Sequence, residues 1–114
     1  MLFYPLASVK RDPINASAAG DSTVLAAVAG KQIVVLKYSV LCTGGANTIT
    51  WKSSGGTALT GPMGYVAQGG ISETYCPVGI INTLTGEGLL INLSAATQVG
   101  GCLSYIILDP AATL

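Results

Sequence analysis

Any chemistry in this chain would have to come from a short roster of side chains. Its 114 residues include five carboxylates (Asp12, Asp21, Glu73, Glu87 and Asp109), three cysteines (Cys42, Cys76 and Cys102) and no histidine. Without histidine, the commonest general base, metal ligand and physiological pH switch are missing. Neither a Ser-His nor a Cys-His pair can be built. A carboxylate pair for sugar hydrolysis would draw on Asp21, Glu87 and Asp109, which read as turn or strand-end residues, or on Asp12 in an N-terminal arm. Glu73 alone lies within a strand, as a solvent-facing or interface residue. The odd, widely spaced cysteines make no disulfide framework and no CxxC pair. A zinc site would need a fourth ligand. All three lie in or beside apolar runs, so they read as buried, reduced thiols. The glycine pairs at 44–45, 55–56, 69–70 and 100–101 lack a Lys-Ser/Thr ending and read as turns, not phosphate loops. Trp51 is in phase with Ile49, which favours a core role over a sugar-stacking one. No catalytic residue, metal or cofactor is expected, and the chain reads as a structural or binding protein rather than an enzyme.

Composition points the same way. Half of the residues are hydrophobic and 9% are charged, against about a quarter in ordinary soluble domains. So apolar a chain leaves surface for other copies or for a larger assembly. The net charge is zero, which gives no electrostatic footprint for nucleic acid or an anionic membrane. Lys10-Arg11, with Asp12 beside it, reads as an exposed turn. The opening MLFYPLASV is too short to span a bilayer and lacks the basic start of a signal peptide. Synthesis and folding in a cytoplasm are therefore expected, and the Asn15-Ala-Ser17 and Asn92-Leu-Ser94 glycosylation patterns count as chance matches.

The elements that must carry these residues are short. Fifteen glycines and five prolines cut the chain into runs rich in Val, Ile, Thr, Tyr and Leu, which predicts about eight antiparallel strands. Ala19–Ser22 reads as a turn cluster, and Thr23–Ala29 as a short apolar stretch with the propensity for a helical turn. Lys31–Cys42 is the strongest strand. Strict alternation puts Val34, Leu36, Tyr38, Val40 and Cys42 on its core face, and Ile33, Val35, Lys37, Ser39 and Leu41 on the other. The predicted fold is an all-β, antiparallel, jelly-roll-like sandwich over 17–114 preceded by an extended arm over 1–16, with a sandwich of another topology as the rival. Strand edges would need protection, for which oligomerisation is the expected device. The candidate interface residues are Phe3, Tyr4 and Leu6 on the arm, Ile33 and Val35 on the second face of the strong strand, the half-wet Tyr65 and Tyr75, and Ile106 and Leu108 where both faces of the last strand are apolar.

Three stretches carry a family resemblance. GDSTVLAAVAGKQIVVLKY (20–38) is similar to a pattern, xxLVAAVxGKxIRVL, of small tailed-phage virion structural proteins. ITWKSSGGTALTG (49–61) resembles their VTFKSGxTALTG segment, and GLLINLSAATQVGG (88–101) their GEALxLNLSxAxxVGG segment. The resemblance covers about residues 17–108, rests on turns and core alternation, and leaves the arm unmatched. It implies a β-sandwich or jelly roll, often trimeric, displayed on the capsid surface as a decoration (cement) protein. The implied partners are further copies in a homotrimer and the major capsid protein, with no direct nucleic acid, membrane or small-molecule substrate. The arm would be a strap that orders on contact. Two other readings stay open. One is a receptor- or glycan-binding module of a fibre or tail, with recognition in the loops around Gly44–Asn47 and Gly61–Tyr65. The other is a different virion part, such as a minor head or connector protein.

Overall fold

The computed structural model describes residues 9–76 and 79–109. Among these, nine strands form two antiparallel sheets packed as a sandwich, with no helix. The strands are β1 (Lys10–Ala16), β2 (Gly20–Leu25), β3 (Gln32–Cys42), β4 (Asn47–Ser53), β5 (Met63–Tyr65), β6 (Gly70–Ser72), β7 (Ile81–Asn82), β8 (Leu89–Leu93) and β9 (Val99–Leu108). The first sheet runs β1-β9-β3-β6, with β7 also paired to β3; the second runs β2-β8-β4-β5.

Clean alternation builds the second sheet. Ile49 and Trp51 on β4, and Leu89, Ile91 and Leu93 on β8, all point inward and are buried. Trp51 packs edge-on to Tyr38 across the sandwich, with ring centroids 5.2 Å apart. Each such side chain gains about 1.5–3 kcal/mol from leaving water.

The first sheet departs from simple alternation. Between Val35 and Lys37 the β3–β9 register shifts, so Leu36 is an extra residue and the side-chain phase inverts there. Ile33 and Val35 therefore join Tyr38, Val40 and Cys42 in the main core. Val34 and Leu36 turn to the outer face, where they cluster with Ile106 and the partly buried Val9 and Leu108. The expected interface roles of Ile33, Val35 and Ile106 give way to burial inside the chain: they are 1%, 0% and 3% exposed. Gly79, at φ 93, lies against Val34, where any side chain would collide with the Val34 methyl.

The first strand also differs from the expected arm over 1–16. Lys10–Ala16 pairs along its whole length with β9. Pro13 does not break it, because an edge strand has one unpaired side on which a missing N–H costs nothing. Gly20–Ser22, expected as a turn, opens β2, and Thr23–Leu25 continues that strand without a helical turn. Val24 forms a second bulge, opposite β8.

Candidate functional site

Four of the five carboxylates are dispersed into separate structural contacts. Asp12 accepts the Tyr105 hydroxyl at 2.7 Å; burial, then this bond, push the Tyr105 phenol up to about 12. Asp21 accepts from Asn92 Nδ2 at 2.7 Å and pairs with Lys52 at 3.2 Å, and the hydrogen bonds from Asn92 and Lys52 hold it below its ordinary value. Glu87 accepts from Ser53 Oγ at 2.7 Å and Gly55 N at 2.8 Å, and these bonds lower its carboxyl in the same way. Asp109 pairs with Lys31 at 3.4 Å. Among the described residues, no cluster of three or more His, Cys, Asp or Glu could hold a metal ion, and no helix is long and apolar enough to cross a membrane.

The thiols divide by position. Cys42 is buried, which pushes its thiol up; Cys76 is half-buried and Cys102 exposed. The expectation of three buried thiols fails at Cys102 because it stands out of phase with the inward-facing Leu103 and Tyr105. It shares the outer face of the first sheet with Ser39, whose Oγ lies 3.8 Å from its Sγ.

Asn47, which sequence reasoning passed over as a loop residue, is the most connected polar side chain among the described residues. It is 4% exposed. Its Oδ1 accepts from Thr48 N, Ser94 N and Ala95 N at 2.9, 3.0 and 3.1 Å, and its Nδ2 donates to Thr97 Oγ1 and Ala95 O at 2.9 and 3.0 Å. The signal that could have found it is an Asn directly before an alternating strand, where such side chains tie loops to backbone.

Several surfaces among the described residues could receive a partner, three of them bearing on the expected interface residues. The first is the edge formed by β6 and residues 73–76, which follow the outer side of β3: Glu73 N donates to Tyr38 O, and Cys76 N to Leu36 O. Exposed apolar side chains lie along this edge: Ile71 at 37%, in the row of the inward-facing Val40, Tyr75 at 44%, and Val66 at 74% in the turn that leads into β6, with Leu41 at 41% on the outer face beside it. The second is a seam between the edge strands β1 and β2, a groove of about 410 Å³ with an apolar floor of Val24, Leu25, Ile33 and Ile107 beneath Lys10 and Asp12. The third is a shallow depression of about 380 Å³ where Ala46–Thr48 meets Gly64–Val66 and Ser94. Of the expected interface residues, Tyr75 lies on the first surface and Tyr65 in the third. Leu108 packs partly buried on the outer cluster, while Phe3, Tyr4 and Leu6 lie outside the described residues.

Comparison with protein-family models, with curated proteins and with solved structures returned no match to this chain.

Proposed function

We propose that this chain is a non-catalytic structural protein of a phage or phage-like virion, a capsid decoration protein that binds and stabilises the major capsid shell as a homotrimer. The strand orders β1-β9-β3-β6 and β2-β8-β4-β5 support reading its sandwich as a jelly roll, with the two-residue β7 as an addition to the usual eight strands. The observation that carries the proposal is the apolar edge of Val66, Ile71 and Tyr75 along β6. Short edge strands are usually blunted with charge. Here the edge presents large apolar side chains, as an edge does when another subunit is to cover it. The number three and the shell come from the family resemblance.

The test is solution mass by light scattering behind a sizing column. A species near three times 11.5 kDa that dissociates in Ile71→Lys/Tyr75→Lys agrees with the proposal. A monomeric wild type with no affinity for any capsid overturns it. A second reading, recognition of a receptor or glycan, draws on the depression in which the Gly44–Asn47 and Gly61–Tyr65 loops meet. It is weakened by Asn47, whose amide is spent on internal hydrogen bonds.

A further inference from the structure

The chain's five cations are unevenly engaged. Lys31 and Lys52 have carboxylate partners. Among the described residues, Lys10, Arg11 and Lys37 have none, and all three are exposed; Lys10 stands opposite Tyr105, on the other face of β1 from Arg11, which leaves Arg11 and Lys37 for the outer face. They share one cross-strand row on the outer face of the first sheet, with Arg11 opposite Ser104 on β9 and Ser104 opposite Lys37 on β3. Two strand spacings separate their backbones by about 10 Å, so both side chains can reach an anion above Ser104. The next row, Pro13, Cys102, Ser39 and Ser72, is set by the same registers. Apart from Pro13, the residues of these rows line a shallow cleft of about 240 Å³ whose polar groups are hydroxyls, one thiol and two cations. Apolar side chains flank the cationic centre along the sheet: Leu41, opposite Gly100 and Gly70, at one end, and the partly buried Val9 and Leu108, packed against the buried Leu36 and Ile106, at the other.

We infer that this face docks an acidic, extended segment of a different protein, with carboxylates over Arg11 and Lys37 and apolar side chains towards the two ends. Charge complementarity selects the occupant. Among the described residues, a second copy of this chain offers no matching surface: Asp12, Asp21, Glu87 and Asp109 are each engaged in contacts of their own. Glu73 leaves at most one carboxylate, and its field bears on Tyr38 and Tyr65. A nucleic acid would call for a longer run of cations with exposed aromatic rings between them, and this face has two cations between hydroxyls. The segment would lie flat, because glycine and serine dominate the rows beneath it. The inference adds a heterologous partner to the self-association proposed above, and it stands whether or not that partner is a capsid shell.

Cys102, in the cleft, is its own reporter. The full chain is treated with iodoacetamide, and alkylation of each cysteine is followed by peptide mass spectrometry. This is done alone, with a synthetic peptide of about ten residues alternating Glu and Val, with its Lys–Val counterpart, and with oligothymidylate. The expected result is that the acidic peptide slows Cys102 alkylation about tenfold while leaving Cys76 unchanged. The protection is lost in Arg11→Glu/Lys37→Glu and fades as salt is raised. The unfolding midpoint of that variant, equal to wild type, shows that a loss of protection is a loss of docking and not of fold. No protection, equal protection in the charge-reversed variant, or stronger protection by oligothymidylate than by the acidic peptide overturns the inference. Protection by the peptide without binding to any capsid would retain this surface and remove the decoration role instead.

Discussion

Replacing Asn47 with alanine should cost far more than a loop substitution ordinarily does. The magnitude follows from which groups lose their partner. Thr48 N keeps Ser94 Oγ at 3.0 Å, and Ser94 N keeps Thr48 O at 3.1 Å. Ala95 has no such reserve: its N–H and its carbonyl both bond to the Asn47 amide, at 3.1 and 3.0 Å. Two backbone groups in a half-buried loop are thus orphaned and a third bond, to Thr97 Oγ1, is lost, which together come to about 2–3 kcal/mol. In a domain of this size that lowers Tm by roughly 10 °C or more. The assay is urea unfolding followed by fluorescence of Trp51, the chain's single tryptophan and fully buried. Thr97→Val removes one of the three bonds and should cost about 1 kcal/mol. Because the two side chains touch, the double variant should cost less than the sum of the singles. A loss below about 0.5 kcal/mol for Asn47→Ala would refute the reasoning, since water would then be replacing the amide at no cost.

Other outcomes follow from particular contacts. Glu87 has a lowered folded pKa, so its contribution is present above the ordinary value of 4.5 and is lost as pH falls through the folded value. Glu87→Gln should therefore lower the urea midpoint at pH 7, with the gap from wild type closing in acid. Tyr105 has the opposite sign: its stabilisation is complete below 10.0 and lost as pH rises towards about 12, so Tyr105→Phe should remove the last phase of a tyrosinate absorbance titration. Trp51 Nε1 is buried with no hydrogen-bond partner among the described residues. Circular dichroism melts should accordingly find Trp51→Phe to cost less than about 2 kcal/mol, against about 3–5 for Trp51→Ala. Alkylation of the free protein should modify Cys102 first and Cys76 more slowly, with Cys42 reacting only on unfolding.

Much of the architecture was legible because its signals are local. Glycine and proline punctuation, with period-two alternation, marked the strands and the sandwich. The inward phase of Ile49, Trp51, Leu89, Ile91 and Leu93 could be read directly, because β4 and β8 pair without a bulge. The absence of histidine limits the available chemistry by composition alone, whatever the fold. Tertiary structure decided what depends on pairing between distant segments. A bulge at Leu36 exists only against the register of β9, and it alone moves Ile33 and Val35 from an expected outer face into the core. Pro13 is tolerated in β1 because that strand lies at a sheet edge, a position no local pattern encodes. The Arg11–Ser104–Lys37 row unites residues from three strands far apart in sequence. Sequence alternation states which neighbours along a strand share a face; which strands lie side by side, and at what register, is set by burial and hydrogen bonding summed over the whole sandwich.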